Sequence, residues 1–234
     1  MIFLVRHNNT METFKINYED IASLPRQGKE QIYKIWELTE ISRCQKNPWY
    51  FITNYCKTLD EHDLENPFKL FPKKEYLKVM VDVWQKENLL IVPKSRQMMA
   101  TWLFTTLNVW TALKPGRKCL FLSKKEADAD AIKERAVVIL EGLPSFLKPN
   151  YSSSYCRINL PDIKSEIKAM SSEPNAVRMY TASSVLADEF AFMEKPRDVL
   201  TALKPCVTGG GKITILSTTN GRNFFYNLVH DKNE

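Results

Sequence analysis

The stretch that most narrows what this chain can fold into runs from Leu89 to Gly116. Leu89-Leu90-Ile91-Val92 is an unbroken apolar run of the length of a buried strand. A short polar turn, Pro93-Lys94-Ser95-Arg96-Gln97, follows it. From Thr101 an apolar pattern predicts a helix through Leu113, stopped by Pro115-Gly116. Strand, turn and helix in that order frame a phosphate-binding loop, in which backbone N–H groups at a helix N-terminus face an anion. Laid over G-x-x-x-x-G-K-[ST], the first glycine falls on Lys94, the second on Met99 and the lysine on Ala100, so only the final hydroxyl, Thr101, is kept. A cation is still present, moved to the front of the loop at Lys94. The chemistry asks for a positive charge near the β- and γ-phosphates and a hydroxyl on Mg²⁺, not for one fixed spacing. Taken alone, the stretch reads more simply as a buried strand and a Ser-capped helix with no ligand. The rest of the chain decides between the two.

Downstream, strands alternate with helices. Lys118 to Leu122 reads as a second strand, and Ser123-Lys124-Lys125-Glu126 as a capping box opening a helix that ends at Gly142-Leu143-Pro144. Asp128 and Asp130 fall on different helix faces and read as surface charge. Tyr151 to Tyr155, rich in serine, reads as a loop, and Ile163 to Met170 as a half-buried strand. Val185-Leu186-Ala187-Asp188-Glu189 is an apolar run closed by two carboxylates. A helix from Pro196 to near Pro205, a turn at Thr208 to Gly211, a strand at Lys212 to Leu216, a polar turn at Ser217-Thr218-Thr219-Asn220-Gly221 and a closing helix from Phe224 to Val229 follow. Such alternation predicts an α/β fold with a mostly parallel sheet flanked by helices, whose ligands bind at the carboxyl ends of the strands. Lys94, the Asp188-Glu189 pair and the Ser217 turn all fall at such ends.

Upstream, residues 1–66 read as a helical region and 67–234 as the α/β core. Gln27 to Cys44 is amphipathic, Asn47-Pro48 breaks it, and Trp49-Tyr50-Phe51-Ile52 starts a second helix. Asp60 to Glu65 reads as a solvated connection, Pro67 as a boundary, and Phe68 to Trp84 as a further helix. Many ATPases hold the adenine ring with an aromatic and an amide in this region; Phe71, Tyr76 and Gln85 are the candidates.

Hydrophobic residues make up 44% of the 234, enough for a sizeable core. The net charge of +6 and pI of about 9.0 are compatible with a polyanionic partner. Five cysteines (Cys44, Cys56, Cys119, Cys156, Cys206) are spread without a C-x-x-C pair and three histidines are equally scattered, which argues against zinc and for reduced, buried thiols in a cytosolic protein. Met1 to Val5 is too short for a signal peptide's apolar region, and no apolar run approaches a membrane span.

A strand ending in Asp-Glu is what ATP hydrolysis asks for: one carboxylate for Mg²⁺, a second to orient and deprotonate water. In their order along the chain, Lys94 to Thr101, Val185 to Met193 and Ser217 to Gly221 resemble the deviant Walker A, the Walker B with its catalytic glutamate, and the coupling motif of the large terminase subunit of tailed bacteriophages; Asn47 to Phe51 resembles that family's N-terminal helical region. The resemblance implies an ASCE-type P-loop ATPase core that drives double-stranded DNA into a procapsid. ATP and Mg²⁺ are the implied cofactors. Partners would be DNA, the portal protein and the small terminase subunit, with a homo-oligomeric ring on the procapsid when active, a monomer alone, and a setting in the host cell cytoplasm. Residue by residue, Lys94 to Thr101 (Lys94, Ser95, Arg96, Gln97, Met98, Met99, Ala100, Thr101) would line the nucleotide. Thr101 and Asp188 would serve Mg²⁺, Glu189 would activate water, Arg96 would sense the γ-phosphate, and Ser217, Thr218, Thr219 and Asn220 would couple hydrolysis to motion. Met99 replaces a glycine, so a positive φ there would be strained. Ala100 offers no second lysine.

The family usually carries a nuclease domain after the ATPase. The chain ends at Asp231-Lys232-Asn233-Glu234 without the carboxylate cluster such a site needs, and reads as the ATPase half. A neighbouring subunit's arginine finger would come from among Arg117, Arg135, Arg157, Arg178 and Arg222. DNA would meet Lys114 to Lys118 or Lys124-Lys125 through phosphate contacts. Two other readings stand beside this one: a helicase-like nucleic-acid ATPase, and an inactive P-loop relative that binds DNA or a capsid partner.

Overall fold

The computed structural model describes residues 2–7, 10–15, 25–60 and 62–230, the first two segments as backbone only. Glu61 of the acidic stretch and the terminal Asp231 to Glu234 lie outside the described residues. Contacts divide the chain into two compact units, Met1–Arg43 and Cys44–Glu234, where the sequence suggested a boundary near Pro67. The first unit opens on an antiparallel hairpin of β1 (Ile2–His7) and β2 (Thr10–Lys15), in register from Ile2 opposite Lys15 to His7 opposite Thr10. The helical expectation for this segment is therefore corrected. Its apolar Ile-Phe-Leu-Val run has strand composition. Helix α1 (Arg26–Lys46) follows, as expected from Gln27 to Cys44.

In the second unit, α2 (Pro48–Tyr55) begins where Asn47 accepts a hydrogen bond from the Tyr50 N–H at 3.0 Å, with proline at the first helical position. A second hairpin follows, β3 (Lys57–Leu59) and β4 (Phe68–Leu70). The acidic stretch is its connection, and it does more than face solvent: the Asp60 and Asp63 carboxylates sit 2.7 and 3.0 Å from the Lys69 ammonium. The helix predicted from Phe68 thus starts later, as α3 (Glu75–Lys86).

The main sheet has seven strands: β5 (Leu89–Pro93), β6 (Lys118–Ser123), β7 (Ser152–Ser154), β8 (Arg157–Leu160), β9 (Ser165–Ser171), β10 (Ser184–Asp188) and β11 (Lys212–Ser217). Their spatial order is β5-β11-β10-β6-β9-β8-β7. The first five run parallel, and β8 and β7 close the far side antiparallel. Helices α4 (Ala100–Ala112), α5 (Glu126–Gly142), α6 (Pro174–Arg178), α7 (Pro196–Cys206) and α8 (Phe224–His230) connect or flank these strands. Two cores form, and successive residues of a strand feed alternate ones: Cys119 and Phe121 of β6 belong to one, Leu120 and Leu122 to the other. Burial on both faces explains why the inner strands β6, β10 and β11 read as largely apolar runs; β5, expected to be buried, is instead an edge strand with only Val92 buried.

Three local expectations change. Ser123 does not cap a helix: it ends β6 opposite Ser171, and α5 starts only at Glu126, without a side-chain cap. The serine-rich Tyr151 to Tyr155 segment is not a plain loop, since Ser152–Ser154 is a fully exposed edge strand that turns through Cys156 at φ 58° into β8. Asp130 is not free surface charge; it accepts from the Cys156 N–H at 2.7 Å and pairs with the buried Lys133 at 3.1 Å. Among the described residues no helix is long and apolar enough to cross a membrane.

Candidate nucleotide site

The site lies at the carboxyl ends of β5, β11 and β10. Pro93 stands opposite Ser217, Leu216 opposite Asp188, and the Lys94 N–H donates to the Ser217 carbonyl at 2.9 Å. Lys94 is thus anchored beside the last rung of the ladder. The chain then turns through Gln97 (φ 61°) and Met99 (φ 55°), both left-handed, and enters α4 at Ala100. The strain expected at Met99 is there: the backbone takes a conformation suited to glycine although methionine occupies it. The Tyr76 hydroxyl donates to the Met98 carbonyl at 3.4 Å and braces the loop from α3.

Five residues from three separate stretches of the chain converge. The Thr101 hydroxyl donates to Asp188 Oδ2 at 3.0 Å, across 87 residues. The Lys94 ammonium lies 2.8 Å from Glu189 Oε1 and 3.7 Å from Asp188 Oδ1. The Thr218 hydroxyl donates to the other Glu189 oxygen at 3.0 Å. Burial pushes the Asp188 carboxyl above its usual range, against the pull of Lys94. Burial also raises Glu189, but the hydrogen bond and charge of Lys94, with the Thr218 hydroxyl, outweigh it and hold Glu189 below the ordinary range. Glu189 is left-handed as well, at φ 51°. Of the five non-glycine residues at positive φ among those described, three (Gln97, Met99 and Glu189) therefore belong to this site.

Other residues singled out in the sequence fall in different places. Ser95, Arg96 and Thr219 are exposed, and Ala100 is buried. Ser217 is buried, with its hydroxyl accepting from the Ala191 N–H at 3.0 Å, and Asn220 donates to the Ala191 carbonyl at 3.1 Å. Phe71 is 2% exposed within the core and cannot hold a base. Gln85 sits where α3 meets the start of β11, the end of that strand opposite the site, and its carbonyl accepts from the Lys212 ammonium at 3.2 Å. Tyr76 is the one of the three adenine candidates that touches the loop. Arg157 is paired with Glu166 at 2.9 Å, Arg178 bonds Asn175 at 3.4 Å, Arg135 lies 5.8 Å from the Trp102 ring, and Arg117 and Arg222 are exposed. The two basic patches bracket β6: Lys124 and Lys125 follow its carboxyl end, whereas Lys114, with its ammonium 3.4 Å over the Trp110 ring, precedes its amino end. Sequence reasoning passed over Asn223, which donates to the Ala191 carbonyl at 2.9 Å; an asparagine just ahead of a helix is the signal that could have found it.

A loop-bearing strand, an acid-bearing strand and a third strand interposed between them define the class: a mostly parallel α/β sheet flanked by helices, with the Lys94 to Thr101 loop and the Asp188-Glu189 pair gathered at the carboxyl ends of its strands. Residues 91–234 match the model of the N-terminal domain of the terminase large subunit, T4-like virus type. The chain belongs to this family. Among solved structures it resembles the HK97 bacteriophage large terminase at 14% identity and TM-score 0.60, over 74% of this chain and 37% of that one. It also resembles a mutant of the ATPase domain of the Thermus phage P74-26 large terminase (19%, TM-score 0.52, 67% of this chain and 69% of that one). A third is the N-terminal domain of the bacteriophage phi29 DNA-packaging ATPase (15%, TM-score 0.51, 67% and 87%). At these identities the likeness is one of fold.

Proposed function

We propose that this chain is the ATP-hydrolysing motor domain that drives double-stranded DNA into a procapsid in the host cell. The reading rests on one observation: Thr101 meets Asp188, and Lys94 meets Glu189, where the carboxyl ends of β5 and β10 flank β11. The triphosphate lies along the Lys94 to Thr101 loop, its charge met by the Lys94 ammonium and the N–H groups opening α4. The cavity of about 850 Å³ beside Gln97, Met99 and Trp102 leaves room for the nucleoside. The Thr101 hydroxyl and the Asp188 carboxylate are hard oxygen donors that already face one another, a set that suits Mg²⁺ completed by phosphate oxygens and water. When bound, Mg²⁺ neutralises charge on the β- and γ-phosphate oxygens.

Lys94 lies between the two acids, 3.7 Å from Asp188 Oδ1 and 2.8 Å from Glu189 Oε1. A bound triphosphate competes for its ammonium and frees Glu189 Oε1, while Thr218 keeps the other oxygen in place. Glu189, an ordinary carboxylate and so anionic at neutral pH, then accepts a proton from the water that attacks the γ-phosphorus; ADP leaves, and inorganic phosphate follows. Arg96, exposed on the loop, is the residue this reading assigns to sensing the γ-phosphate. Ser217 to Asn220 pass the change onward. A homo-oligomeric ring, a portal and a small subunit complete the motor, and DNA is gripped through its phosphates. The test is phosphate release from ATP with and without DNA, with Glu189→Ala as control. Activity in the wild type that is lost in the variant is expected; equal inactivity of both in the presence of DNA and partner proteins would leave a binding module instead.

A further inference from the structure

The turn after Glu189 is tied to the segment following β11 more tightly than the coupling motif alone requires. Phe190–Phe192 forms a single 3-10 turn around Ala191, which is 5% exposed. The Ala191 N–H goes to Ser217, and its carbonyl accepts from two amides, Asn220 at 3.1 Å and Asn223 at 2.9 Å. Asn223 has a second bond: its Oδ1 accepts from the Tyr226 N–H at 3.2 Å and caps α8. The two bonds agree on the amide's orientation, because a backbone N–H must face the oxygen and a carbonyl must face the nitrogen. A separate contact makes the same link, since Phe190, the residue after Glu189, packs against Phe224 and Phe225 of α8 with ring centres 6.5 and 6.4 Å away.

We propose that Asn223 is a positioning residue for Glu189: by clamping the Ala191 carbonyl to the cap of α8, it fixes where the left-handed glutamate presents its carboxylate. This rests on the reading of Glu189 as the water-activating base. Asn223 bonds the Ala191 carbonyl and the Tyr226 N–H, not Glu189 itself, so it acts through the turn. Glu189 is held in a conformation that non-glycine residues rarely keep without outside support. Thr218 fixes one carboxylate oxygen, and Asn223, with Asn220, fixes the backbone two residues on. Loss of the clamp should therefore slow the chemical step while ATP still binds.

The double role of Asn223 makes the test clean. Asn223→Asp keeps an oxygen for the Tyr226 N–H and cannot donate to Ala191, whereas Asn223→Ala loses both bonds. We expect Asn223→Asp to lower kcat on the order of tenfold, the equivalent of about one hydrogen bond, with KM for ATP within about twofold by the same measure and an unchanged thermal midpoint. Asn223→Ala should lower kcat similarly and the midpoint as well. Wild-type kcat in Asn223→Asp, or a kcat that falls only in step with the midpoint across the two variants, would reduce Asn223 to a helix cap and overturn the proposal. Glu189→Gln is run alongside: turnover equal to wild type in that variant would sink the hydrolysis reading and this proposal with it, whereas a dead Glu189→Gln beside a normal Asn223→Asp would sink only this one.

Discussion

Met99 offers a measurement in which the usual ranking of two residues should reverse. In ordinary helix or strand backbone, alanine is more stable than glycine by roughly 0.5–1 kcal/mol, because glycine loses more conformational freedom on folding. At φ 55° the order inverts. A side chain in the left-handed region costs about 1–2 kcal/mol that glycine does not incur. Both Met99→Gly and Met99→Ala remove the same partly buried side chain, which packs against the core, so that loss cancels between them. The difference of the two remaining effects, taken at the centres of their ranges, leaves Met99→Gly more stable than Met99→Ala by about 0.75 kcal/mol. For a chain of this size that is about 1.5–3 °C in midpoint. Paired urea titrations with matched slopes would resolve it. Equal midpoints, or alanine ahead of glycine, would mean that residue 99 is not left-handed in solution and that the loop does not follow the glycine-loop path.

Three more outcomes are expected. Lys94→Ala should fold normally and weaken nucleotide binding about tenfold or more, the worth of a hydrogen bond to a charged group; unchanged affinity by calorimetry would remove Lys94 as the displaced loop lysine. Asp188→Asn should abolish turnover, by more than about 100-fold, yet raise the thermal midpoint in metal-free buffer at neutral pH, because it removes a carboxylate whose ionised form is disfavoured by burial; a lowered midpoint would contradict that balance. DNA binding should show little sequence preference and weaken with salt by a slope of about 0.9 per phosphate contacted, and a salt-insensitive, site-specific complex would oppose the phosphate-grip reading.

What could be read in the sequence follows from what leaves a local trace. Val185 to Ala187 were legible because a parallel strand covered on both faces needs apolar residues at every position; Leu89 to Val92 were legible from composition alone, since β5 is an edge strand with Leu89 41% exposed. The hairpin strands were not. Phe68 and Leu70 are each 56% exposed, and β7 is three serines, so neither carries a pattern that separates strand from loop or helix. Their conformation comes from a partner strand, not from their own composition. The site divides in the same way. Lys94, Thr101, Asp188 and Glu189 are chemically conspicuous, and each sits at a strand end or helix start that the apolar pattern marks. That they meet depends on β11 lying between β5 and β10, and no local pattern encodes that order. The left-handed turns at Gln97, Met99 and Glu189 were equally hidden, since glycine, the residue that announces such turns, is absent from all three.

The front-of-loop lysine makes sense once its backbone is considered along with its charge. A residue whose N–H closes the last bond of the β5–β11 ladder has little freedom to wander, so its side chain leaves the sheet in a defined direction, toward the ends of β11 and β10. Ala100, where the usual pattern has lysine, is instead 1% exposed and packed into the core at the start of α4. The chain thus assigns the two positions different jobs. Position 100 seats the helix, and position 94 supplies the charge. The same ammonium that would meet a triphosphate neutralises two acids that would otherwise repel one another at the end of β10 and just after it. Removing the lysine therefore does more than delete a phosphate contact. It leaves Asp188 and Glu189 facing each other without a counter-charge, and the site loses its unliganded arrangement together with its affinity.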